Sequence, residues 1–166
     1  MKTMSVIFLS LFCGPVHANW FEDALFFGSG LAAGLAVHEL GHIVAAHAYG
    51  EKLDWRDGQW ECRYPCDDLS KVAIAGNVAS VLVGETLLHT SYRGSFVDGL
   101  QTWNTLNPVR YAIKDSRSHH GYLDYANAND KAQIAIAIHA ASIGYRHVNN
   151  GHWRFVFRSI SYSRDF

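Results

Sequence analysis

The chain has 166 residues, which suits one domain with a single core. Only 17% of them are charged and the net charge is -1, so there is no basic face for nucleic acid, and that class of partner is set aside. A mean hydropathy of -0.04 is modest for a multi-span protein and keeps a buried soluble helical core open beside a membrane bundle.

Residues 1–18 have a form of their own. Lys2 precedes the apolar stretch Val6–Cys13, Gly14-Pro15 breaks it, and Val16-His17-Ala18 puts small residues at minus three and minus one before Asn19. This reads as a secretory signal peptide, with an uncleaved anchor as the second reading; the apolar part is too short to span a bilayer comfortably. Either reading sends the chain to an export route and leaves 19–166 as one helical domain.

Asn19-Trp20-Phe21-Glu22-Asp23 reads as an interfacial lead-in, because Trp and Phe favour the boundary between apolar and wet surroundings. Ala24–Tyr49 is long enough to cross a membrane, and Gly28, Gly30 and Gly34 offer close helix contact. Inside this run stands His38-Glu39-Leu40-Gly41-His42. On a helix His38 and His42 project from one face, the geometry by which two imidazoles grip one zinc ion, and Glu39 sits beside it. Neutral imidazoles are good Zn2+ ligands, a catalytic zinc keeps a position for water, and a neighbouring carboxylate can take that water's proton. The plain alternative is a helix with two hydrogen-bonded histidines and a surface Glu. Burying these groups in an apolar stretch is expensive unless a metal or hydrogen bonds satisfy them.

Gly50 terminates the helix. Residues 52–56 and 59–63 then predict a β-hairpin around Asp57-Gly58, a pair that tolerates the positive φ of a two-residue turn, with Trp55 and Trp60 facing each other across it. Cys62 and Cys66 form a close pair suited to a disulfide in an exported protein; a second zinc site competes less well without another pair nearby. Ser70–Leu88 reads as a second apolar helix with Asn77 and Glu85 as its polar exceptions. Phe96–Ile113 and Ala132–Tyr145 hold further apolar elements, and the aromatic, Arg-bearing tail His152–Phe166 suits a membrane surface or a strand. The expected fold is mainly α: a small membrane-embedded helical bundle with a short β-hairpin after the metal-binding helix.

Two histidines leave a zinc site incomplete. A metzincin third His would fall at position 48, which is Ala48, while His47 points elsewhere on a helix. A gluzincin would use a Glu on a later helix, for which Glu85 is the candidate. Val37-His-Glu-Leu-Gly-His-Ile-Val-Ala-Ala-His-Ala-Tyr-Gly50, the predicted hairpin and Ala75-Gly-Asn-Val-Ala-Ser80 together resemble the site-2 protease family of intramembrane zinc metalloproteases, over about residues 24–125. The resemblance implies a zinc endopeptidase with His38 and His42 as metal ligands, Glu39 as general base, and Asn77 holding the substrate backbone. It also implies an acidic third ligand after an Asn-Pro stretch, which Asn104–Tyr111 matches. The usual close Pro-to-Asp-Gly spacing is absent here. Asp124 is favoured because it follows His119-His120-Gly121, a turn whose two histidines would form a polar site wall; Asp115 is second, and a pair of solvated loop carboxylates is the plain alternative. Expected partners are a peptide or membrane-protein substrate and membrane lipid, in an integral, bacterial-type inner-membrane setting. An exported soluble zincin and a non-catalytic zinc-binding membrane scaffold are the other two readings.

Overall fold

Helix α1 spans Ala18–Tyr49 in the computed structural model, which describes residues 18–56, 59–63, 67–113 and 130–150. Residues 1–17, the Asp57-Gly58 turn, Cys66, Asp115, Asp124 and the 152–166 tail lie outside the described residues. The lead-in Asn19–Asp23 is itself helical, because no proline or glycine interrupts the stretch before Ala24. At the other end Gly50 takes φ 74°, donating its N–H to His47 O, while the Glu51 N–H reaches back to Ala46 O. That pair of bonds is the glycine-capped helix ending that only a residue free of Cβ adopts cheaply.

The expected hairpin follows as β1 (Leu53–Arg56) and β2 (Gln59–Cys62), antiparallel, with Leu53 opposite Cys62 and Arg56 opposite Gln59. Trp55 and Trp60 are direct partners and meet edge to face at 5.0 Å. Arg63 Nε donates to Asp54 Oδ2 at 3.0 Å, and Cys62 is disulfide-bonded. Three helices complete the structure: α2 (Leu69–Leu88), α3 (Ser95–Ile113) and α4 (Asp130–Asn149). The chain is thus mainly helical with one small two-stranded sheet, as the patterning predicts.

Helix α1 packs on both α2 and α3, and α4 closes against α3 and α2. Small residues set how closely α1 and α3 approach. A Cβ on Gly30 would strike the Phe96 carbonyl, one on Gly99 would strike the Phe27 carbonyl, and one on Gly34 would lie 2.7 Å from Trp103 Cγ. Gly28 belongs to a different face and meets nothing within 4 Å, so the packing expected of it is not made. Ala46, Val72 and Ala73 form an apolar core next to the hairpin, with Leu53 and Trp60 leaning on it.

Elsewhere the interior is polar. Asn77, Ser80, Asp98, Gln101 and Asn104 are fully or almost fully buried, whereas Leu25, Val44, Leu82, Leu106 and Ile138 stand exposed. Two helices, Trp20–Tyr49 and Leu69–Leu88, are long and apolar enough to cross a membrane. Helices α3 and α4 carry most of the polar side chains of the interior, which lowers their average hydropathy although Leu106, Ile134 and Ile138 point outward.

Candidate metal centre

His38 and His42 lie one turn apart on the face of α1 that meets α2 and α3, and both are about 98–99% buried, at 1% and 2% relative exposure. Their Nε2 atoms face each other at 3.2 Å, with the rings perpendicular and 4.8 Å apart. Two nitrogens bound to one tetrahedral zinc at about 2.0–2.1 Å lie about 3.3 Å apart, so the pair is already spaced as two ligands of one ion.

The other ring nitrogens are held from behind. His42 Nδ1 donates to the Val72 carbonyl at 2.8 Å, which leaves Nε2 with its lone pair. His38 Nδ1 is 3.2 Å from the Asn107 side-chain amide, which in turn is 3.5 Å from Asn77 Oδ1. With the Asn107 nitrogen donating to His38, His38 Nε2 carries a proton and bonds to His42. Turning both amides by half a rotation keeps every heavy-atom position. His38 Nδ1–H and Asn77 then both donate to the Asn107 oxygen, and the second Nε2 lone pair is freed for metal. Such outer hydrogen bonds fix the tautomer and aim of metal-binding imidazoles. The Tyr111 ring stacks on His38 at 5.8 Å with a 10° interplanar angle and limits its rotation further.

Gly76 makes the pocket for the rings. A Cβ there would overlap His42 Nε2 and lie 2.8 Å from His38 Cε1, and across the same contact Gly41 lies against Ala75 O at 2.6 Å from its own would-be Cβ. Glu39 is half-buried on the same turn of α1. His47 is exposed, facing away from the pair.

Of the predicted site residues, the structure therefore brings together His38, His42 and Asn77, with Glu39 adjacent. Asp124 and Asp115 fall outside the described residues. Among the described residues no group of three His, Cys, Asp or Glu side chains converges to hold a metal. Glu85, the gluzincin candidate, is engaged elsewhere: Arg146 Nη1 donates to its Oε1 at 2.9 Å, and His89 and His139 lie 3.2 and 3.4 Å from its carboxylate.

Four buried residues go beyond those assigned a site role from sequence. Asn107 was visible only as part of an Asn-Pro stretch; its role depends on a contact spanning 69 positions. Asp98 and His147 form a second buried pair, Oδ1 to Nε2 at 3.0 Å, both at most 2% exposed. Gln133 is buried with neither amide atom bonded.

In comparisons with known proteins no family model matches this chain, and no curated protein and no solved structure matches it significantly.

Proposed function

We propose that the chain is a zinc-dependent endopeptidase acting within or at the membrane. The observation that carries this reading is the imidazole pair: two Nε2 atoms 3.2 Å apart, each ring anchored through Nδ1, with a glutamate on the same helical turn. Two imidazoles are costly to bury for packing alone, because an apolar pair of the same shape would need no partners.

In this reading His38 and His42 hold the ion, and Asp124 or Asp115 supplies the third ligand. Zinc, when bound, provides a Lewis acid that activates water and polarises a peptide carbonyl. Glu39 takes the proton from the attacking water and delivers it to the leaving amine. Asn77 and Asn107 orient His38 through their amides, and the side of the Asn77 amide away from Asn107 has no partner and can bind a substrate backbone group. The outward apolar side chains of α1 and α2 suit a lipid setting, and a lipid setting in turn limits competing water at the site. The engagement of Glu85 by Arg146 favours this arrangement over a soluble zincin built on Glu85.

Glu39→Gln separates metal binding from chemistry. Zinc content, measured by inductively coupled plasma mass spectrometry on the purified protein, stays near one per chain, while cleavage of a single-span model substrate in proteoliposomes drops by about 100-fold or more. Retained cleavage removes Glu39 as the base. A normal zinc content with no cleavage by the unaltered protein against a broad substrate panel favours the scaffold reading.

A further inference from the structure

The buried polar groups between α2, α3 and α4 follow a line. On α3, Asp98, Gln101, Asn104 and Asn107 recur every third residue, and on α2, Asn77, Ser80 and Gly84 face them. The register is set by contact: Asn107 meets Asn77, and Gly84 meets both Gln101 and Asn104. One end of the line is the imidazole pair, reached through Asn107; the other is the Asp98–His147 pair, one turn beyond Gln101.

Along this line the hydrogen bonds do not close. Asn104 is 0% exposed with both its amide oxygen and nitrogen unpartnered, and Ser80 Oγ and Gln101 Oε1 are unpartnered as well. Pro108 adds to the deficit, because it has no N–H to give to the Asn104 backbone carbonyl one turn earlier. Buried donors and acceptors in such number are satisfied in proteins by internal water, each molecule making about three bonds to groups that otherwise have none. Gly84, which has no side chain, lies against them: a Cβ there would make ordinary contact, 3.4 Å from Ile143 and 3.5 Å from Asn104 and Gln101, so the space beside it is no larger than a methyl group.

We infer that Ser80, Gln101 and Asn104, beside the bare backbone of Gly84, form an internal water-binding site that joins the imidazole pair to the Asp98–His147 pair by continuous hydrogen bonds. Its role as a route for water and protons to the hydrolytic site rests on the function proposed above. Its existence does not.

The test is hydroxyl-radical footprinting of the full-length protein in detergent micelles, with radicals generated from the protein's own water by short X-ray pulses in 18O water. Ile143 and Val72 are both 0% exposed, but the Ile143 side chain borders the proposed site, whereas the Val72 side chain packs in the apolar core with Ala46 and Ala73. After correction for intrinsic reactivity, Ile143 is expected to label about fivefold or more faster than Val72, since only internal water brings radicals to it. Gly84→Ala fills the space with a methyl group in ordinary contact and reduces Ile143 labelling by about threefold or more. Asn104→Leu does the same by removing the polar partner. Equal labelling of Ile143 and Val72, or labelling of Ile143 unchanged in both variants, overturns the inference. Because the readout needs neither zinc nor substrate, a dry Ile143 in a zinc-binding protein overturns this site alone. A labelled Ile143 in a protein that binds no zinc overturns the enzyme reading alone.

Discussion

Gly76→Ala tests the metal centre at its tightest point. Ordinary side-chain contact begins at 3.4 Å, so a methyl 2.8 Å from His38 Cε1, and closer still to His42 Nε2, forces movement of about 0.6 Å or more. The rings have little freedom to give, since His42 is tied to Val72 O at 2.8 Å and His38 lies between Asn107 and Tyr111. Overpacking costs about 1–3 kcal/mol and a weakened His42–Val72 bond about 1 kcal/mol, while alanine returns about 1 kcal/mol of helix propensity over glycine. The expected net loss of stability is about 1–3 kcal/mol. Zinc binding suffers more: disturbing a single supporting group of a ligand costs 10- to 100-fold, and this methyl displaces both ligands, so a loss of about 100-fold is expected. Competition against a chromophoric chelator measures affinity, and thermal unfolding of the zinc-free protein measures stability separately. Gly28→Ala, where nothing lies within 4 Å, is the control and leaves both unchanged or slightly improves stability. A Gly76→Ala protein that binds zinc within about threefold of the original refutes the assignment of this contact as the seat of the metal.

Asn107→Leu removes the partner of His38 Nδ1 and is expected to weaken zinc by about 10- to 100-fold in the same competition assay, with Asn107→Asp recovering much of the loss. Glu85→Gln breaks a two-pronged contact with Arg146 that ties α2 to α4; it lowers thermal stability but leaves zinc affinity unchanged, and a loss of zinc would instead restore Glu85 as a ligand. In the hairpin, the hydrogen bond and charge of Arg63 hold the Asp54 carboxyl below its usual range. A depressed folded value means that the contribution is complete above the unfolded value near about 4 and fades as pH falls through the folded one. Tryptophan fluorescence of the Trp55–Trp60 pair is therefore expected to stay flat from about pH 8 to 5 and change below about 4, and Asp54→Asn removes that acid-limb change.

The helices and hairpin were legible because their signals are local. Asp57-Gly58 predicts a hairpin between residues 52–56 and 59–63, and the strands on either side pair with Arg56 opposite Gln59. His38 and His42 were legible because four-residue spacing on a helix is itself a spatial statement. Asn107, Asp98 and His147 were not, because a polar residue on an element of mixed hydropathy does not reveal which way it points. Their partners lie 69 and 49 positions away, and only helix packing chooses among the faces. Gly28, Gly30 and Gly34 show the same limit from the other side: one face of α1 was read as a small-residue contact, yet Gly28 is rotated off it and packs on nothing.

On the proposed reading, the distribution of polarity adds to what the spacing of His38 and His42 says. A soluble bundle buries its apolar stripe and turns charge outward. Here Val44 is 65% exposed and Leu82 62%, while Asn77, Ser80 and Asn104 are at 0%. In water that arrangement forfeits apolar burial at the surface and desolvates amides at the centre, two losses with no evident return. In lipid the outer apolar residues cost nothing, and the polar interior becomes the one place where helices find specific partners for one another. On the proposed reading, the same polar interior that holds α2, α3 and α4 in register also aims Asn107 at His38. Holding the bundle together and orienting the zinc ligand are then one set of hydrogen bonds. Substitutions along α3 that loosen the bundle should therefore weaken metal binding in step, whereas those in the apolar core around Val72 and Ala73 should lower stability first, with His42 the only ligand touched, through the Val72 carbonyl.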